Sequence, residues 1–113
     1  MKIEIKKWLF DVLEASREVL AFVAGKTYED YAADPMMRAA IERKFTIIGE
    51  AVNQALKLQP DLEDRISHAK RIVGFRHLLI HAYFAVKHQV VWEIIQSDVP
   101  VLVNEVEKLL ADG

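Results

Sequence analysis

The sequence predicts an all-α fold: an antiparallel four-helix bundle with a short extra helical turn, forming one domain over residues 1–113. Three observations lead there. Hydrophobic residues make up 52% of the 113 and charged residues 28%, so the chain can bury a core and is no disordered tail. Four glycines and three prolines are too few turn residues for a many-stranded sandwich or barrel. Apolar residues recur at three- and four-residue spacing, the period of a helix face.

The first helix is expected from Ile3 to Ala24, with Ile5, Trp8, Leu9, Val12, Leu13, Val19, Leu20 and Val23 on its apolar stripe. Gly25 stands where a C-terminal stop belongs. Thr27 then caps a short turn, with Asp30 three positions on to complete a capping box. Asp34-Pro35 starts the second long helix, a capping side chain followed by proline at the first helical position. It runs to about Leu58 on Met37, Ile41, Phe45, Ile48, Val52, Ala55 and Leu56. Gly49 inside it costs about 1 kcal/mol relative to alanine, a cost expected where another helix comes close. Pro60 to Asp64 is an acidic connection. Ser67 is expected to cap a third helix, His68 to about Phe84, whose apolar centre marks it as the central helix. The last helix should span His88 to about Ala111, kinked at Pro100 because the ring clashes with the carbonyl of Gln96.

Composition excludes several chemistries. With no cysteine there is no disulfide, thiol catalysis or thiolate metal site. The glycines at 25, 49, 74 and 113 are too far apart for a phosphate-binding loop. The pairs Glu29/Asp30 and Glu63/Asp64 read as solvated caps. No apolar run reaches the roughly 18 residues of a membrane span. The opening MKIEIKKWLF carries no apolar signal core, so a soluble cytoplasmic protein with no membrane partner is expected. His77 and His81, four apart, share a helix face and could bind a divalent ion only with a third ligand from elsewhere. No metal or other cofactor is therefore expected.

The charge distribution is more telling than the net charge of −2. From Arg65 to Trp92 there is no Asp or Glu. That stretch holds Arg65, Lys70, Arg71, Arg76, Lys87 and all four histidines. Its centre threads Arg76, His77, His81 and Tyr83 through apolar residues, with Arg76 and Tyr83 seven apart on one expected helix face. Such groups are costly on a core helix unless they are paired, line a cleft or meet a partner chain. Arg76 has an alternative explanation as the partner of a carboxylate on another helix, such as Glu42 or Glu50. Tyr83 has one as a hydrogen-bonded core phenol.

Arg76-His-Leu-Leu-Ile-His81-Ala-Tyr83 resembles the R-x4-H-x-Y signature of the HepT-like toxins, small helical ribonucleases of the HEPN superfamily. Ile47-Ile-Gly-Glu-Ala51, Asp11 to Ala15, and Val91 to Ile95 through Asp98-Val-Pro100 resemble further segments of that family, in the same order. Members commonly carry asparagine directly after the arginine, where this chain has His77. The resemblance implies a metal-independent endoribonuclease acting on RNA, with tRNA the substrate by family analogy. Arg76, His81 and His77 would be catalytic. Lys70, Arg71 and Lys87 would contact RNA. It implies a homodimer and a partner, a minimal nucleotidyltransferase (MNT) antitoxin that transfers AMP to Tyr83. Histidine is the side chain whose free imidazole changes charge near neutrality, and arginine's fork matches phosphate. Arg76 and His81 lie about 140° apart around one helix, so convergence in one site calls for a second copy. A second reading is a non-catalytic helical module that binds a nucleotidyltransferase partner.

Overall fold

Nearly every buried side chain comes from a helix, the exception being Ile66 in a bend between two helices. The computed structural model describes residues 1–113 and contains α1 (Ile3–Val23), α2 (Tyr28–Ala33), α3 (Pro35–Leu58), α4 (Ala69–His81) and α5 (His88–Asp112). Short 3-10 turns at Pro60–Asp64 and Tyr83–Ala85 complete it, and there is no strand. This is the all-α arrangement that the sequence predicts, four long helices and one short one. Helix α1 packs on α3 and α5, α4 lies against α3, and α2 bridges α3 and α5.

The starts and stops of the first half follow the sequence. Gly25 at φ 74° ends α1 in the left-handed region, which glycine enters without a Cβ penalty. The Thr27 hydroxyl accepts from Asp30 N while Thr27 N donates to the Asp30 carboxylate, a complete capping box for α2. Asp34 Oδ1 accepts from Met37 N at 3.0 Å, capping α3 just before Pro35. Of the α1 stripe, Ile5, Leu9, Val12, Leu13, Val19 and Val23 are in the core, while Trp8 and Leu20 are only partly buried at its edge. From α3 come Ile41, Phe45, Ile48, Val52 and Ala55, and from α5 Val91, Ile95, Val99, Leu102, Val106 and Leu109. The core also takes in Tyr31 of α2, fully buried with its hydroxyl unbonded. Burial pushes that phenol well above its ordinary range, and the nearby Glu42 carboxylate adds to the shift.

Three expectations are corrected around α4. It is an outer helix, not the central one: α1, α3 and α5 already fill the core, and only Ala69 and Leu79 of α4 are buried. Ser67 is not its cap. The Glu105 carboxylate of α5 takes both the Ser67 N–H (3.0 Å) and its hydroxyl (2.7 Å). His68, at φ 62°, makes the left-handed turn into the helix instead. Finally, α4 stops at His81. The Ala82 backbone leaves the helical region (φ −146°, ψ 44°), and Tyr83 belongs to the following 3-10 turn. Tyr83 is therefore not on a continuous helix face with Arg76. Helix α5 continues without a break through Pro100.

Candidate active site

Helix α4 presents its polar residues on two sides. Arg76 turns inward against α3. Its Nη2 forms an ion pair with Glu50 Oε2 at 2.8 Å, and Gln54 Nε2 donates to the other carboxylate oxygen at 2.9 Å. The close approach is possible because residue 49 is glycine. A Cβ there would collide with Arg76 Cβ and stand 3.1 Å from its Cγ and Cδ. The carboxylate-partner explanation of Arg76 thus holds for the folded chain, with Glu50 as the partner and not Glu42. One guanidinium donor, Nε, is buried and unbonded.

His77 and His81 lie on the solvent side. Both are exposed, and their rings lie against each other with centroids 4.3 Å apart at an interplanar angle of 45°. The i, i+4 spacing produces this pairing directly. No group of three or more His, Asp or Glu side chains is placed to hold a metal ion. Beyond them, Tyr83 is 71% exposed and packs edge-on to Phe84, which is 81% exposed. The core-phenol explanation of Tyr83 is ruled out: no side chain of the fold accepts or donates a hydrogen bond to it, and its ring faces water. Ile80 and Val90 are exposed on the same stretch, so residues 80–90 carry four large apolar groups in solvent.

The acid-free segment is less positive in space than in sequence. Arg65 pairs with Asp112 (3.3 Å), Lys70 with Glu63 (3.0 Å), Arg71 with Asp98 (3.7 Å) and Arg76 with Glu50. Acids from α3, α5 and the 3-10 turn at Pro60–Asp64 supply what the segment lacks. Lys87, at the start of α5, is exposed and makes no ion pair. The fold thus brings His77 and His81 together on the exposed side of α4 while Arg76 faces α3, puts Tyr83 just past the helix end, and leaves Lys70 and Arg71 on an earlier turn. Sequence reasoning passed over Arg43, whose signal was its position seven residues before Glu50, on the same side of α3.

Residues 12–109 match the family model described as "Ribonuclease HepT-like". A protein of Methanocaldococcus jannaschii named "Putative RNase MJ1380" is 33% identical over 108 residues, 94% of this chain and 96% of that one. A protein of Thermococcus cleftensis named "Probable ribonuclease HepT" is 34% identical over 113 residues, 96% of this chain and 98% of that one. No solved structure matches. With a family model covering nearly the whole chain and relatives above 30% identity along almost all of it, the protein belongs to the HepT-like ribonuclease family of the HEPN superfamily.

Proposed function

We propose that the chain is a metal-independent endoribonuclease toxin, working as a homodimer and silenced by AMP transfer to Tyr83 from an MNT-type nucleotidyltransferase antitoxin. The observation that carries this is the exposed, ring-to-ring His77–His81 pair on a surface helix that also carries Arg76. Two histidines and a guanidinium are what transesterification of RNA needs. One imidazole, His81, takes the proton of the ribose 2′-hydroxyl as its oxygen attacks phosphorus. The P–O5′ bond breaks, and a protonated imidazole, His77, returns a proton to the departing 5′-oxygen. The products are a 2′,3′-cyclic phosphate and a 5′-hydroxyl, with no water or metal consumed. Arg76 holds the phosphate oxygens, whose charge grows as the fifth bond forms.

The two-sided layout of α4 favours a composite site. Arg76 and His81 diverge in one protomer, so the Arg76 of one copy would work with the histidines of the other. The exposed Ile80, Tyr83, Phe84 and Val90 supply apolar area beside the site for a second copy or for the antitoxin. In AMP transfer the Tyr83 oxygen would attack the α-phosphorus of ATP. The bond to the β-phosphate oxygen breaks and pyrophosphate leaves. In a composite site the adduct's phosphate would compete with RNA for the arginine. Lys70 and Arg71 would contact the RNA by exchanging exposed ion pairs worth under about 1 kcal/mol each for phosphate. Lys87 is free to do so directly.

The Glu50 pairing of Arg76 favours the second reading, a non-catalytic module bound to the nucleotidyltransferase, and one experiment separates the two. Cells expressing the chain alone are expected to arrest with fragmented RNA, tRNA foremost, while His81→Ala protein, equally folded, leaves RNA intact. In purified form that variant should lose about 10²- to 10⁴-fold in rate, the share of a general acid or base, with a chelator present throughout. Arg76→Lys should recover little activity, because the fork is lost while the charge stays. Intact RNA and normal growth with soluble, unmodified wild-type chain would establish the binding module instead.

A further inference from the structure

A groove of about 250 Å³ opens beside Arg76, on the side of α4 away from the histidines. Trp8 and Asp11 of α1, Arg43, Thr46 and Glu50 of α3, and Arg76 line it. Both of its carboxylates are committed: Asp11 Oδ2 to Lys7 at 2.8 Å, and Glu50 to Arg76 and Gln54. Arg43 is exposed and makes no ion pair, so it is the groove's uncommitted cation. Arg76 adds the shielded, unbonded Nε. Trp8 is half-buried, and the Lys7 ammonium sits 3.9 Å from its ring centroid, placing a second cation at the rim. Thr46 donates to the Glu42 carbonyl and keeps its lone pairs free.

An uncommitted arginine beside an aromatic ring in an open groove supplies the parts of a single-strand nucleic-acid site: charge tracks the backbone, and a ring takes a base or sugar face. The volume falls short of a pocket for a drug-sized ligand and suits one nucleotide. We infer that this groove is an RNA subsite for the nucleotide flanking the phosphate held by Arg76, with Arg43 on the neighbouring phosphate and Trp8 against the base. The inference rests on the ribonuclease reading and gives the strand its path. Because the Arg76 guanidinium is turned toward α3, a strand that touches it from this protomer passes over the groove and not along the His77–His81 face.

The test uses the full chain in the non-cutting His81→Ala background, titrated with fluorescein-labelled single-stranded RNA at several salt concentrations. Arg43→Glu and Trp8→Leu are added singly. Lys57→Glu makes the same charge change about 21 Å further along α3 and serves as the control. Arg43→Glu should weaken binding about tenfold and lower the salt slope by about one, the signature of a lost phosphate contact. Trp8→Leu should also weaken binding about tenfold, with a smaller change in slope, and Lys57→Glu should resemble the parent. With His81 restored, Arg43→Glu should raise KM and leave kcat within about twofold. Folded Arg43→Glu and Trp8→Leu proteins that bind like the parent would overturn the subsite even if the wild type cuts RNA. A wild type that binds RNA through Arg43 without cutting it would refute the catalytic proposal and uphold the subsite. A chain that does not bind RNA at all refutes both.

Discussion

Arg76 is held by two neighbours on α3, and only one of them is a charge. Glu50 fixes the guanidinium, and Gly49 leaves the space into which the first carbons of the arginine pack. The glycine therefore matters to the site and not only to the helix. Gly49→Ala gains about 1 kcal/mol in helix propensity, but the new methyl collides with the base of the Arg76 side chain, and such overpacking costs about 1–3 kcal/mol. The expected outcome is a net loss of stability in urea denaturation together with a fall in ribonuclease rate, as Arg76 is pushed off Glu50. Unchanged stability and rate would show that α4 is free to move away from α3. The family to which Arg76, His77 and His81 point was legible as a motif. The direction in which each points was not, because motif spacing fixes angles around one helix and says nothing of which side its neighbour covers.

Among the elements, those with local signals were legible and those decided by distant partners were not. Thr27–Asp30 and Asp34-Pro35 contain their own caps, so α2 and α3 begin where the sequence places them. Ser67 had the same look, but Glu105, 38 residues away, claims both of its polar groups. The apolar centre of α4 pointed to a buried helix, yet the other three long helices supply most of the core and α4 adds only Ala69 and Leu79 as buried residues. The capping box also has a pH consequence. The Thr27 backbone N–H, and then its hydroxyl, hold the Asp30 carboxyl below the ordinary carboxylate value. A depressed folded value means that the stabilisation is present above the unfolded carboxylate range and is lost as pH falls through the folded value. Asp30→Asn should accordingly be less stable than wild type near neutrality, with the gap narrowing below about pH 4, as followed by thermal melts across pH.

As a whole, the protomer is finished as a fold, and on the composite-site proposal it is incomplete as a site. Its surface of 6459 Å² is close to the roughly 6,300 Å² expected of a folded 13.0 kDa monomer. Yet α4 leaves residues 80–90 apolar in solvent, and its arginine and histidines face different ways. Net charge predicted little about RNA. The segment's positive run predicted too much, since four of its five basic side chains are paired across the fold. The central claim is that Arg76 of one copy acts with His81 of another. Mixing inactive Arg76→Ala and inactive His81→Ala proteins under subunit exchange tests it directly. Random two-fold pairing should restore about a quarter of wild-type sites, each heterodimer assembling one intact cleft. A mixture that exchanges subunits and stays inactive would contradict the composite site and place Arg76 and His81 in the same protomer's chemistry.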